Sequence, residues 1–148
     1  MNFTDSFFES MSGVTTTGSS VIQNISDMSE GILIWRALLQ WLGGVGIIVM
    51  ALSILPVLQV GGMQVFRAES SDTTEKILPR TAQISTAVII IYLILTFSCF
   101  SLYWIFGMSA FDSFAHSMTT IATGGFSTKD ASIAFFNNAY IEYTSAIF

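Results

Sequence analysis

Residues 5–20 read DSFFESMSGVTTTGSS, and residues 112–127 read DSFAHSMTTIATGGFS. When the chain is shifted by 107 positions against itself, these two stretches align without a gap and share eight of their sixteen residues. Other pairs are conservative, such as Val14 with Ile121. The chain therefore contains an internal repeat, and both copies are expected to form the same structure.

Each copy of the repeat opens with a signal for the start of a helix. Asn2 stands three positions before Asp5, and Ser109 stands three positions before Asp112. A capping side chain followed three residues later by an acidic residue satisfies N–H groups that the first helical turn leaves free. We therefore predict two equivalent short helices in which Asp5 and Asp112 act as caps.

The two short helices are predicted over residues 3–14 and 110–121. A helix of this length rises about 18 Å, which is roughly half of the hydrocarbon core of a bilayer. Each helix runs into a segment rich in Thr and Gly, at residues 15–18 and 122–125, which we name the first and the second Thr/Gly segment. Irregular backbone at membrane depth is tolerated only where protein buries it or where it lines water. The pattern thus indicates re-entrant helices that enter a membrane without crossing it.

Two apolar blocks indicate that the chain also crosses a membrane. Of its 148 residues 52% are hydrophobic and 10% are charged, and no charged residue occurs within residues 37–66 or 81–111. Each block exceeds the roughly 20 residues that a helix needs to cross the hydrocarbon core. We therefore predict spanning helices over about residues 31–59 and 82–107, and the fold class of an all-α membrane protein.

The basic residues predict the orientation of the chain. Three of the five Lys and Arg residues lie in the loop between the spans, at Arg67, Lys76 and Arg80. The positive-inside rule therefore places this loop on the cytoplasmic side, with three basic residues there and two, Arg36 and Lys129, on the opposite side. Arg36, next to Trp35, is then expected to snorkel toward the opposite interface.

The chemistry of the Thr/Gly segments points to a cation. Successive backbone carbonyls can replace the hydration shell of a monovalent cation. Gly18 and Gly125 can adopt a positive φ, which turns a carbonyl inward without a Cβ penalty. The partly negative C-termini of the two short helices favour a cation at the same place. The alternative is that both segments are helix C-caps leading into ordinary loops, but two copies behind half-membrane helices favour the first interpretation.

Other polar and small residues have structural interpretations. His116 aligns with Glu9 of the other copy and has no second ligand nearby in sequence, so hydrogen-bonded packing is favoured over a metal site. Gly43, Gly44 and Gly46 interrupt the first span, where close helix packing is favoured over a gating hinge. No phosphate-binding loop, no basic stripe for nucleic acid and no grouped nucleophile, base and orienting residue can be recognised in the sequence.

Three stretches resemble a known family. TTTGSS at residues 15–20, WRALLQWLGGVGIIVMALSILP at residues 35–56 and TTIATGGFSTKD at residues 119–130 are similar to the potassium-translocating subunit of the Trk/Ktr/HKT superfamily, most closely its bacterial Trk type. The resemblance covers essentially the whole chain. In that family one chain carries four non-identical repeats of outer helix, pore helix, filter segment and inner helix around one pore.

The resemblance implies a role for each part of the chain. Residues 1–60 would form the pore helix, filter segment and inner helix of the first repeat, residues 61–81 a cytoplasmic loop, and residues 82–148 the outer helix, pore helix, filter segment and start of the inner helix of the second. The potassium-binding filter residues would be Thr15, Thr16, Thr17, Gly18, Ala122, Thr123, Gly124 and Gly125. Because only two of four filter segments are present, we expect a fragment of a transporter, with Met1 an internal methionine or a misplaced start.

The resemblance also implies a function and partners. It implies potassium uptake across the plasma membrane, the bacterial inner membrane, by a multi-pass protein of the lipid bilayer that works as a symport. The full-length protein would form a homodimer and bind a cytoplasmic nucleotide-binding regulatory subunit (TrkA-like). No cofactor, transition-metal site, nucleic-acid partner or enzymatic activity is expected. The competing hypothesis is a non-conducting structural or interaction subunit of a membrane complex.

Overall fold

The computed structural model describes residues 2–58 and 74–148, with side chains described at residues 2–50 and 86–148. All regular structure within these ranges is helical, which confirms the all-α fold class. The α-helices described there are α1, Phe3–Val14; α2, Glu30–Leu58; α3, Thr74–Ile105; α4, Ala110–Ile121; and α5, Ala139–Ile147. Two short 3₁₀ helices, Ile25–Asp27 and Ser132–Phe136, follow the first and the second Thr/Gly segment.

The short helices α1 and α4 have the predicted bounds, and Asn2 and Asp5 cap α1 as predicted, whereas at α4 the Asp112 carboxylate accepts from the Ser109 and Thr128 hydroxyls and only Ser109 caps the backbone. The Asn2 side chain accepts from the backbone N–H of Asp5 at 2.9 Å, and the Asp5 carboxylate accepts from the Asn2 N–H at 3.3 Å. In the second copy the Ser109 hydroxyl oxygen accepts from the backbone N–H of Asp112 at 3.0 Å. Both helix starts therefore follow from the local sequence, as expected where capping side chains satisfy the free N–H groups.

Helices α2 and α3 are long and apolar enough to cross a membrane, by length and composition. Their apolar parts are Glu30–Met50 and Thr86–Ile105. Helix α3 begins at Thr74, before the predicted start of its span at residue 82. The change from polar to apolar residues marks where a helix can enter hydrocarbon, and polar residues can extend the same helix beyond that point. Residues 59–73, which include the end of the first predicted span and most of the predicted loop, lie outside the described residues.

Helix α2 supports both copies of the repeat. It packs against α1, α3 and α4, and α3 packs in turn against α4 and α5. One buried apolar cluster forms between α2 and α4, and a second surrounds α3 and α5. The first cluster is Ala37, Ala115 and Met118, and the second is Cys99, Tyr103, Met108 and Ile141. The two short helices α1 and α4 therefore both pack against α2.

Two glycines allow the short helices to end directly against α2. A Cβ at Gly43 would collide with the backbone carbonyl of Val14, and a Cβ at Gly44 would lie 3.2 Å from Ala122. Small residues permit such close approach of backbones. The predicted packing role is therefore confirmed for Gly43 and Gly44, whereas a Cβ at Gly46 would meet no atom of the described structure within 4 Å. Both Thr/Gly segments consequently start beside neighbouring residues of one helix.

Candidate functional site

The ends of α1 and α4 have the same backbone hydrogen bonds in both copies of the repeat. Each helix closes with a Schellman motif, in which two N–H groups beyond the helix reach back to carbonyls of its last turn. The bonds of the first copy are Thr16 N to Gly13 O and Thr17 N to Ser12 O, both at 3.0 Å. The bonds of the second copy are Thr123 N to Thr120 O and Gly124 N to Thr119 O, both at 2.9 Å. The helix-cap alternative thus describes the first half of each Thr/Gly segment.

Backbone handedness alternates along both segments. Thr16 and Thr123 have φ of 55° and 53°, and Gly18 and Gly125 have φ of 80° and 77°. The residue between these two positions, Thr17 in the first segment and Gly124 in the second, does not have a positive φ. The sign of φ therefore alternates along both segments, and each alternation ends at a glycine, which turns its peptide group without a Cβ penalty.

The glycine conformations were predictable and the threonine conformations were not. A positive φ is confirmed at Gly18 and Gly125, where the absence of a Cβ makes it inexpensive. At Thr16 and Thr123 the left-handed conformation costs about 1–2 kcal/mol, and the Schellman hydrogen bonds offset part of that cost. Residue preference alone would place Gly or Asn at this position, so the sequence carries no signal for a left-handed threonine.

The two Thr/Gly segments meet at one carbonyl group. A Cβ at Gly18 would collide with the backbone carbonyl oxygen of Gly124, so the first segment lies directly against the second at this point. Gly125 has the same φ as Gly18, yet a Cβ placed there would meet no described atom within 4 Å. The two repeat-related glycines therefore share a backbone conformation and differ in their surroundings.

A buried carboxamide from α2 holds the second segment. Gln40 is fully buried; its Nε2 donates to the Gly124 carbonyl at 3.0 Å, and its Oε1 accepts from the Phe126 N–H at 3.1 Å. Gln40 was not predicted from the sequence. The available signal was a pair of polar residues in an otherwise apolar helix, since Arg36 and Gln40 stand four positions apart and so share one helix face.

Arg36 does not snorkel to an interface, which corrects the prediction. Its Nε lies 3.3 Å from a carboxylate oxygen of Glu9 on α1, and both side chains are almost fully buried, with 6% and 7% exposed. The Arg36 guanidinium also lies 4.0 Å above the ring centre of Phe126. A charge is stable at such a site when a counter-charge and hydrogen bonds compensate it. Glu9 supplies that compensation, and only the three-dimensional structure brings Glu9 and Arg36 together.

The two copies of the repeat hold the residues beyond their Thr/Gly segments by equivalent contacts. In the first copy a Glu9 carboxylate oxygen accepts from the Ser20 hydroxyl at 2.6 Å. In the second copy His116, at the position of Glu9, has its Nε2 2.9 Å from the hydroxyl of Ser127, at the position of Ser20. The His116 Nδ1 donates to the Asp112 carbonyl at 2.8 Å, since a carbonyl can only accept. The expected role of His116 as a hydrogen-bonded packing residue is therefore confirmed.

Asp130 links the two segments that follow the Thr/Gly segments. Its carboxylate accepts from the backbone N–H groups of Ile25 at 2.6 Å and Ser26 at 3.4 Å, and its own N–H donates to the Ser26 hydroxyl oxygen at 3.3 Å. Hydrogen bonds from Ser26 and Ile25 to the charged form lower the pKa of Asp130 below its ordinary value of 3.8. This link joins the two copies of the repeat outside the spanning helices.

The lowered pKa of Asp130 predicts when this link is lost. Because the carboxylate is favoured in the folded protein, its stabilising contribution is complete above pH 3.8 and disappears as the pH falls through the depressed pKa. We expect the thermal midpoint of the full-length protein to exceed that of Asp130→Asn by a constant margin between about pH 8 and about pH 5. A margin that already disappears within that range would show that the carboxylate does not make these bonds.

A cavity of about 450 Å³ adjoins the second Thr/Gly segment. Thr123 and Gly125 line it together with His116 and Thr120 of α4 and with residues of α5. The side of the segment that contacts Gln40 is therefore filled by protein, and the side of its two left-handed residues is open. The structure thus brings Gly18 of the first segment against Gly124 of the second, while Thr123 and Gly125 line the cavity.

Comparison with known proteins relates this geometry to a family. The family model described as "TrkH: Cation transport protein" matches residues 1–148. The Trk system potassium uptake protein TrkH of Vibrio parahaemolyticus is 47% identical over 150 aligned positions, covering 100% of this chain and 31% of that protein. The Trk system potassium uptake protein TrkI of Halomonas elongata is 48% identical over 132 positions, covering 89% of this chain and 27% of that protein.

A solved structure shows the same arrangement. The crystal structure of the potassium transporter TrkH from Vibrio parahaemolyticus matches with a TM-score of 0.84 and 44% sequence identity. The match covers 99% of this chain and 28% of that one, so the chain spans less than a third of the length of the relatives it matches. The family model extends over both Thr/Gly segments and the helices that hold them. The chain belongs to the TrkH family of cation transport proteins.

Proposed function

We propose that this chain is part of a transporter that takes up potassium through a filter lined by backbone carbonyls. The observation that carries the proposal is the alternating backbone of the two Thr/Gly segments, which meet at Gly18 and Gly124. Backbone carbonyls in such segments can replace the hydration shell of a monovalent cation. Helices α1 and α4 both end at these segments, and their partly negative C-termini stabilise a cation there.

The proposed ion-binding groups are those of the two segments. They are Thr15, Thr16, Thr17 and Gly18, and Ala122, Thr123, Gly124 and Gly125. The Gly124 carbonyl already accepts from Gln40, and a carbonyl has a second lone pair that remains for an ion. The names of the relatives, Trk system potassium uptake proteins, support potassium as the cation.

The same proposal covers organisation, location and partners. Residues 1–60 are assigned to the end of a first repeat, residues 61–81 to a cytoplasmic loop and residues 82–148 to most of a second repeat. The protein is placed in the bacterial inner membrane as a multi-pass potassium transporter with no enzymatic activity and no cofactor. A homodimer and a cytoplasmic nucleotide-binding regulatory subunit are its proposed partners. The membership of the chain in a family of cation transport proteins supports this assignment.

Complementation tests the proposed function. The complete reading frame, expressed in a bacterial strain that lacks potassium uptake, should restore growth at low external potassium. The protein that reaches the membrane must be quantified in the same cells by an epitope tag. Normal insertion without growth would contradict the proposal and favour a non-conducting subunit of a membrane complex. If added sodium and added potassium support growth equally, the chain is still part of a transporter, but the proposed preference for potassium is contradicted.

A further inference from the structure

Gln40 makes two specific hydrogen bonds to the backbone of the second repeat, which simple packing would not require. It belongs to α2, the helix that follows the first Thr/Gly segment, and its carboxamide bonds only to backbone groups around the second segment, among the hydrogen bonds described. The two bonded groups, the Gly124 carbonyl and the Phe126 N–H, stand on either side of Gly125. Gln40 therefore spans the residue whose φ is 77°.

The contact also fixes how the two repeats touch. A Cβ at Gly124 would collide with the Gln40 carboxamide, so only glycine admits this side chain at its observed distance. The carbonyl that Gln40 holds is the same group against which Gly18 of the first segment packs. Gln40 thus lies where a filter segment of one repeat, a filter segment of the other and a spanning helix come together.

A carboxamide is suited to this place by its chemistry. It offers a donor and an acceptor on one planar group, and here each of them has a backbone partner of the opposite kind. A carboxylate would put an oxygen against the Gly124 carbonyl and lose the donor, and an apolar side chain of similar length would leave both backbone groups without this partner. A buried polar group without a partner loses free energy, so the segment would shift to find another.

We propose that Gln40 is a positioning residue that sets the cation preference of the second filter segment from the helix of the first repeat. The inference rests on the proposed function, because it assumes that the Thr/Gly segments bind the transported ion. Selectivity in a carbonyl filter depends on the number and the field strength of the carbonyls that face the ion. Loss of the Gln40 contacts therefore changes which ion is preferred, in addition to any effect on folding.

The test compares three variants of the full-length protein in proteoliposomes, by the ratio of potassium to sodium uptake. Gln40→Met keeps the length of the side chain and removes both hydrogen bonds, and we expect the ratio to fall about tenfold. Gln40→Glu should lower the ratio when ionised and restore it at lower pH, because a protonated carboxyl group again offers a donor and an acceptor. Trp41→Phe is the matched control, since it removes the bond from Trp41 Nε1 to Thr96 at 3.0 Å, away from the filter. The potassium-to-sodium uptake ratio of Trp41→Phe should equal that of the wild type, even if less of the variant protein is incorporated into the proteoliposomes.

The outcomes separate this inference from the function on which it rests. A wild-type protein without potassium uptake contradicts the proposed function itself. A transporting wild type with an unchanged ratio in Gln40→Met overturns the role of Gln40 and leaves the function standing. If Gln40→Met does not reach the membrane, Gln40→Glu decides: a ratio equal to that of the wild type at a pH where infrared spectroscopy shows the introduced carboxyl group ionised overturns the inference, and a ratio that falls on ionisation and recovers on acidification supports it.

Discussion

Replacement of Gly18 by Ala should abolish potassium uptake by the full-length transporter. Replacement of Gly125 by Ala should instead leave a folded transporter with an altered preference between potassium and sodium. Both glycines have a positive φ, of 80° and 77°, which costs a residue with a Cβ about 1–2 kcal/mol. At Gly18 the added Cβ would also collide with the Gly124 carbonyl, and backbone cannot move aside as a side chain can. At Gly125 the Cβ would meet no described atom within 4 Å, so strain alone remains.

Uptake of both ions and the amount of protein in the membrane must be measured together for these two variants. Gly31→Ala is the matched control, because a Cβ at that residue has no described atom within 4 Å and its φ is not in the left-handed region. Serine also carries a Cβ, so Gly18→Ser should likewise abolish uptake and Gly125→Ser should change the potassium-to-sodium preference. Normal uptake and unchanged selectivity in Gly18→Ala would remove this residue from the filter.

Replacement of Glu9 by Gln should destabilise the protein by about 3–5 kcal/mol, because it leaves the buried guanidinium of Arg36 without its counter-charge. The two groups are 3.3 Å apart and almost fully buried. The other carboxylate oxygen accepts from the hydroxyl of Ser20 and the N–H of Val21, both at 2.6 Å, and an amide oxygen can keep these two bonds, so the loss of the counter-charge is the expected cause. The measurement is the thermal unfolding of the purified full-length protein.

Two further variants make the Glu9 result specific. Asp5→Asn changes a half-buried acidic residue in the N-terminal cap of the same helix, and because an amide oxygen can still accept from the Asn2 N–H, it should lower the unfolding free energy by about 1 kcal/mol or less. A double variant with Met at both Glu9 and Arg36 should recover part of the stability, since no charge then remains buried. A single Glu9→Gln variant as stable as Asp5→Asn would contradict the buried ion pair.

The helices could be predicted from the sequence because their signals are local. The caps at Asn2 and Ser109 determine where α1 and α4 begin, and the repeat of 107 residues shows that the two helices are equivalent. The long apolar blocks predict α2 and α3, but they do not predict that α3 begins as early as Thr74, because its first residues are polar. Positive φ at two glycines also follows from residue type. These features depend on neighbours in sequence, and they were predicted.

The contacts that hold the Thr/Gly segments depend on residues far apart in the chain. Glu9 and Arg36 are 27 positions apart, and Gln40 and Phe126 are 86 positions apart, so their spacing alone gives no sign of their pairing. Arg36 was assigned to an interface because an isolated arginine near a tryptophan usually lies there. The left-handed threonines were missed because tertiary contacts and helix capping, rather than residue preference, stabilise them.

On the proposed function, the two Thr/Gly segments of this chain bind the transported potassium ion. The most direct test is anomalous diffraction from crystals of the full-length protein in which thallium replaces potassium. We expect an anomalous peak between the two segments, within coordinating distance of backbone carbonyls in residues 15–18 and 122–125, that disappears when sodium is substituted. An occupied ion pathway with no peak at either segment would contradict it.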